Sequence, residues 1–221
     1  MTTPAADRLA SQRAQWQAAA ADFDAEPDHG LLDPDVREAW RALLEPHLPP
    51  APADVVDLGC GTGSLAVLLS ERGHRVRGTD LAPAMVAAAR AKADAAGVGD
   101  RVTVVEGDAG HPSYGPGSAD VVLCRHVLWA LPDPAAALAA WGRLLRPGGL
   151  LLLVEGRWHT GGGLDAATTV RLVADHVAGA DAPQVEQLAD RDDLWGGPVT
   201  DERYLLHARV PRRDDAPGQP R

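Results

Sequence analysis

Asparagine and isoleucine are missing from this 221-residue chain, and Lys92 is its single lysine against 20 arginines. That bias reads as the mark of GC-rich coding and carries no chemistry. Only two cysteines occur, Cys60 and Cys124. They show neither metal-ligand spacing nor a redox pair, so both are expected to be small buried residues. No basic cluster stands out against a net charge of −10, which argues against nucleic acid as a partner. The longest strongly apolar stretch, Leu150–Val154, is far too short to cross a bilayer, and no apolar leader opens the chain. The expectation is a cytoplasmic protein without membrane insertion. No internal repeat or linker is evident, and the length suffices for one full α/β core.

Residues 55–63, Val-Val-Asp-Leu-Gly-Cys-Gly-Thr-Gly, are the most informative stretch. The apolar run suits a strand buried on both faces, and glycine at every second position lets backbone approach a ligand. Leu65, Leu68 and Leu69 recur at helical spacing, so this loop joins a strand to a helix, one edge of a nucleotide pocket in doubly wound folds. The pattern Gly59-x-Gly61-x-Gly63 lacks the last spacing of the dinucleotide fingerprint. Asp57, two residues before the first glycine, lies where a pyrophosphate would sit and suits a cationic ligand better.

Further strand ends follow in order. Arg75–Gly78 lead into Thr79-Asp80-Leu81, where Asp80 can accept from both ribose hydroxyls. Val102–Val105 run into Glu106-Gly107-Asp108-Ala109, where Asp108 can accept from an adenine amino group. Asp120–Cys124 end in Arg125-His126-Val127, and Leu144-Leu145-Arg146-Pro147-Gly148-Gly149 feeds the strand Leu150–Val154.

This series resembles the class I S-adenosylmethionine-dependent methyltransferases, in the small-molecule branch that includes quinone-biosynthesis methylases. The likeness spans roughly residues 50–156. It implies a single Rossmann-like, doubly wound, mostly parallel sheet of about seven strands, with helices on both faces and an N-terminal helical cap. It also implies S-adenosylmethionine as cofactor. Asp57, Gly59, Cys60, Gly61 and Gly63 would line its methionine and ribose end, Asp80 would hold the ribose hydroxyls, and Leu81 and Met85 would flank the adenine. Asp108 and Ala109 would meet the adenine edge, and Arg125 would lie near the methionine moiety.

The expected organisation is one methyltransferase domain over residues 1–221. A helical cap over 1–45 contains helices near Arg8–Ala21 and Pro34–Glu45. The cofactor core spans 50–156, and an acceptor-side helix (Leu164–Ala178) and C-terminal strands occupy 157–210. A charged tail from 211 to 221 and the first six residues are expected to fray. The last strand, Arg203–Val210, would lie antiparallel beside one near Val185–Leu188.

In-line methyl transfer demands alignment and exclusion of water, with a general base optional. His126, just past the fourth strand, is the first choice for a base or acceptor-orienting residue, weighed evenly against a capping or packing role. His29 and His159 stand second. Glu155 could face the acceptor, with capping of a neighbouring loop the favoured reading. Trp129, Trp158 and Trp195 are candidates to stack on an acceptor, whereas Trp40 and Trp141 follow helical core stripes. Trp16 and Phe23 are helix-packing residues or part of a lid. No Pro-Pro-aromatic motif or Pro-Cys follows the fourth strand, which disfavours nucleic-acid or glutamine amine and cytosine-C5 methylation. The lack of asparagine disfavours the magnesium-dependent catechol type, so no metal is expected. The acceptor is expected to be a small apolar or aromatic metabolite. The competing readings are a nicotinamide-dependent oxidoreductase and a protein that binds the cofactor or its demethylated product without transferring methyl.

Overall fold

In the computed structural model, residues 4–211 are described, with side chains from residue 7 onward. The expected fraying of the tail and of the first three residues lies outside that range. Five helices open on a proline, at Pro4, Pro27, Pro34, Pro83 and Pro134, where the missing N–H would be unpaired in any case. Asp33 caps one of these helices by accepting from the Asp35 and Val36 amides, and Asp133 caps another through Ala136.

The cap comprises α1 (Pro4–Ala19), a 3₁₀ turn at Phe23–Ala25, α2 (Pro27–Gly30) and α3 (Pro34–Leu44). The core then alternates β1 (Asp54–Leu58), α4 (Ser64–Glu71), β2 (Arg75–Asp80), α5 (Pro83–Ala95), β3 (Val102–Glu106), β4 (Ala119–Arg125), α6 (Pro134–Leu144) and β5 (Leu145–Arg157). Last come α7 (Ala166–His176), β6 (Gln184–Gln187), α8 (Asp192–Trp195) and β7 (Glu202–Arg209).

The seven strands form one sheet in the order β3-β2-β1-β4-β5-β7-β6. All pairs from β3 to β5 are parallel, whereas β7 runs antiparallel to both β5 and β6. The architecture expected from the sequence is therefore the one observed. Alternation along the central strands splits the core in two. Val55, Val121, Leu123, Leu150 and Leu152 pack with α3, α4 and α5 on one face. Val56, Val122, Leu151 and Leu153 pack with α6 and α7 on the other. Trp40 and Trp141 are fully buried, one in each layer.

Two boundaries differ from expectation. β5 runs thirteen residues, so Glu155 lies inside the strand rather than at its end. Its early start follows from pairing of Leu145 with Ala119 before a register shift in β4. The short helices α2 and α8 are absent from the expected list, because four residues give no readable periodicity. They pack near one another, and a Cβ on Gly196 would come within 2.5 Å of Pro27. The winding of the sheet reverses between β1 and β4, and ligands of doubly wound folds bind beyond the strand ends at such a point.

Candidate functional site

A cavity open at one side lies at that switch point. The β1 end supplies Asp57, Gly59, Cys60 and Gly61 to its wall, and β2 with the start of α5 supplies Asp80, Leu81 and Met85. Asp108 and Ala109 come from the loop after β3, and Arg125 and His126 from the end of β4. Glu155, His159, Trp129, Trp158 and Trp195 are not part of its lining, whereas eleven of the twelve residues that make up the cofactor set and His126 share this one cavity. Gly63 is the exception and lies off the wall. It opens α4 at φ +79, and a Cβ there would approach Ala89 of α5 to 2.8 Å. Its need for glycine comes from helix packing and positive φ.

The carboxylates differ in their tasks. Asp80 accepts from the Gly61 amide through Oδ2 and the Ala82 amide through Oδ1, both at 2.9 Å, so it braces the glycine loop as well as facing the cavity. Burial raises its pKa while those amide bonds oppose the rise. Asp57 is 2% exposed, and its Oδ2 is buried without a hydrogen-bond partner. Burial pushes its pKa up to about 7; Arg125 opposes the rise and Asp80 adds to it. A cationic group arriving beside Asp57 would supply the missing partner. Asp108 accepts from the Gly110 amide at 2.8 Å and pairs with the exposed His111 ring at 3.0 Å.

The cap closes over the glycine loop. Phe23 lies on Gly61, where a Cβ would come within 3.1 Å of its ring, and the Phe23 and His29 rings stack at 4.3 Å. Leu9, Gln12 and Trp16 of α1 complete that wall, and Gln12 donates to the Ala130 carbonyl at 2.7 Å. Trp16 meets Phe23 edge-on at 6.2 Å, and both rings line the cavity. Lys92, which sequence reasoning set aside, ties this cap down. Its Nζ reaches Asp24 Oδ2 at 2.8 Å, Thr62 Oγ1 at 3.0 Å and Ser64 Oγ at 2.7 Å. Only its being the lone lysine of the chain marked it.

His126 is one of two described non-glycine residues with positive φ, at +59. Such a backbone is costly and is held here by several bonds. The His126 amide donates to the Val154 carbonyl at 2.9 Å, and the next two amides, of Val127 and Leu128, donate to Glu155 Oε1 at 3.0 and 2.8 Å. Glu155 is therefore the loop cap that the sequence favoured. It is fully buried, its Oε2 has no partner, and burial pushes its pKa up to about 8.

The His126 ring meets Trp158 edge-on at 5.3 Å and lies nearly parallel to Trp195 at 6.1 Å. Arg203 sits over both tryptophans, and Trp129 packs on Trp158 at 5.3 Å. Of the three tryptophans, Trp129 is the exposed one, while Trp195 is 7% exposed and packs edge-on against Trp40. Burial, aided by Arg125, Arg203 and His29, holds the His126 pKa well below the ordinary imidazole value. His159 sits apart, exposed and 3.4 Å from Asp201. Arg125 reaches into the cap, donating to the carbonyls of Asp28 and His29, and its guanidinium lies over Trp40. Cys60 and Cys124 are both buried free thiols, as expected.

Residues 56–153 match the family described as a methyltransferase domain. The ubiquinone biosynthesis O-methyltransferase of Xanthomonas axonopodis pv. citri is 38% identical over 149 residues, which cover 66% of this chain and 58% of that protein. The demethylmenaquinone methyltransferase of Thermus thermophilus is 39% identical over 119 residues, covering 52% of this chain and 53% of that protein. The chain thus spans little more than half the length of these relatives. Among solved structures, the geranyl diphosphate C-methyltransferase of Streptomyces coelicolor superposes with a TM-score of 0.74 at 17% identity, covering 94% of this chain and 99% of that one. The magnesium protoporphyrin IX methyltransferase of Synechocystis gives 0.72 at 19% identity, covering 95% and 100%. At such identities the structural likeness is one of fold. The resemblance read from the ordered motifs is borne out.

Proposed function

We propose that this chain, which carries a class I methyltransferase domain with residues 56–153 matching the family, moves a methyl group from S-adenosylmethionine to a small acceptor. The observation that carries this reading is the convergence of four strand ends on one cavity. There the orphaned Asp57 carboxylate oxygen, the Gly59–Gly61 backbone and Asp80 stand together. This set fits the cofactor. Asp57 would meet the cationic amino-acid end, Asp80 the ribose hydroxyls, Leu81 and Met85 the faces of the adenine, and Asp108 with Ala109 its edge. Cys60 and Arg125 would flank the methionine portion. The cofactor, when bound, supplies an electrophilic methyl on sulfonium sulfur.

The chain's own contribution is alignment and dryness. The cap residues Phe23 and His29 cover the loop, and holding two reactants in line can supply roughly 7–11 kcal/mol of the barrier. His126, on the same wall and neutral at neutral pH, presents an unpartnered Nε2 suited to orienting an acceptor hydroxyl. Trp16, Phe23, Val127 and Leu131 offer apolar surface on the same cavity, which favours an apolar or aromatic acceptor. The quinone-pathway names of the relatives support the same class of acceptor. Residues 1–221 act as one unit in this reading, in the cytoplasm and without a nucleic-acid partner. The net charge of −10 supports the last point, and no helix among the described residues is long and apolar enough to cross a membrane.

Calorimetric titration with S-adenosylmethionine, S-adenosylhomocysteine and NADH tests the cofactor. Micromolar binding of the two sulfur compounds with silence toward NADH is expected. The reverse pattern would move the chain to the oxidoreductases. Transfer of labelled methyl to acceptors of graded size then separates an enzyme from a protein that only binds the cofactor.

A further inference from the structure

We infer that Asp28, His29 and His126 form a binding site for one divalent transition-metal ion of the zinc, cobalt or nickel type. Each residue offers a ligand atom, and these atoms lie within 4.8 Å of one another. Ligands around tetrahedral zinc stand about 2.0–2.2 Å from the ion, so small side-chain movements would close the set. Two buried ring nitrogens, His29 Nδ1 and His126 Nε2, have no hydrogen-bond partner. Native interiors rarely leave such atoms unpaired without a ligand or water to take them.

Packing orients the two imidazole rings toward the shared space. The His29 ring is stacked on Phe23, and its carbonyl and that of Asp28 are both tied to Arg125. His126 is fixed by its left-handed backbone and by the tryptophan walls. Arg125 and Arg203 face the site and oppose a cation, while Asp28 and Glu26 favour it. Two imidazoles and one carboxylate select borderline metals over magnesium or calcium.

His29 and His126 both line the cavity, so three protein ligands leave an open position facing it. An acceptor oxygen bound there would lose its proton more readily, and His126 would orient the acceptor through the ion. This functional role rests on the methyl-transfer reading; ion binding itself does not. The site also joins the cap, through Asp28 and His29, to the end of β4. It departs from the expectation that the chain holds no metal, because residues nearly a hundred positions apart show no ligand spacing in sequence.

The test uses full-length protein stripped with chelator. Zinc is titrated by calorimetry, and cobalt by its visible absorption, in the absence of any cofactor. One saturable site of micromolar affinity is expected, with cobalt bands typical of low coordination number. His126→Ala and His29→Ala should each weaken it at least about tenfold, the scale on which even outer-shell partners act. His159→Ala, which removes an exposed His–Asp pair, should leave it unchanged. If His126→Ala lowers the melting temperature enough to confound the titration, His29→Ala carries the test from the cap side. Absence of saturable binding, or binding indifferent to both histidines, overturns the inference. Metal silence alongside intact S-adenosylmethionine binding would sink this site alone. Metal binding without S-adenosylmethionine binding would instead sink the methyl-transfer reading.

Discussion

Lys92 Nζ lies 2.8 Å from Asp24 Oδ2, joining α5 of the core to the turn that carries Phe23 over the glycine loop. The same ammonium donates to Thr62 and Ser64, so one side chain spans cap, loop and α4. Half-burial makes the loss of either partner costly, because the charge left behind is poorly solvated. Lys92→Met keeps the apolar stem and removes the donor. It should loosen the cap and weaken S-adenosylmethionine binding about tenfold, equivalent to about 1.4 kcal/mol. Calorimetry checks the affinity, and limited proteolysis within residues 19–33 checks the cap. Unchanged affinity and unchanged cleavage would remove Lys92 from the binding argument.

Asp80 is expected to serve loop and ligand together. Asp80→Ala deletes the acceptor for the Gly61 and Ala82 amides and the carboxylate facing the cavity. Affinity for S-adenosylmethionine should fall on the order of a hundredfold, with a lower melting temperature from the unbraced loop. Asp80→Asn separates the two roles. Its amide oxygen can still accept from one backbone N–H, so stability should recover more than affinity. Equal recovery of both would argue that Asp80 acts only as a brace.

Gly59 and Gly97 offer a matched comparison, with φ of +74 and +71. A Cβ on Gly59 would lie 2.4 Å from Val127 Cγ2, whereas nothing lies within 4 Å of one on Gly97. Gly97→Ala should therefore report backbone strain alone, about 1 kcal/mol. Gly59→Ala adds a collision with the residue that follows His126, and should cost about 2–4 kcal/mol in total and abolish cofactor binding. Urea denaturation of both variants measures the difference. Equal losses would mean that Val127 yields freely.

The strand ends were legible because each carries an acid or glycine at a fixed offset from an apolar run, as with Asp57, Asp80 and Asp108. Period-two burial and the Gly59–Gly61 spacing then dictate where those acids must gather. Spacing alone does not tell a glycine that faces a ligand from one that admits a neighbouring helix, as Gly63 does beside Ala89 of α5. The cap was half legible. Pro34 and Asp33 announce α3, but nothing local says that Phe23 will lie on Gly61 or that Asp28 and His29 will meet His126. Those contacts join segments about forty to a hundred residues apart and depend on the packing of α2 against α8, elements too short to have a period. Lys92 was passed over for the same reason, since its partners are far from it in sequence.

Glu155 makes the pH dependence of stability testable. Its folded pKa, about 8, stands above the ordinary 4.5 because burial disfavours the charged form. A raised folded value means that the stability it supports is complete below about 4.5 and drains away as pH rises through 8. Within that window the unfolded chain has released the proton and the folded chain has not, at a cost of up to about 1.4 kcal/mol per pH unit. Asp57, raised to about 7, contributes in the same direction, so the slope will not vanish when Glu155 alone is altered. Carboxylates held low by arginine or amide partners, such as Asp54 and Asp165, act at more acid pH and leave this window clear. Glu155→Gln keeps an oxygen for the Val127 and Leu128 amides but cannot ionise. Relative to the wild type, its melting temperature should climb from pH 4.5 to 8, reaching a gap on the order of 10 °C, and hold steady above that. Parallel melting curves across the whole range would mean that Glu155 ionises freely in the folded protein. The buried Oε2 would then carry charge with no partner among the described residues, while Oε1 would go on accepting from the Val127 and Leu128 amides.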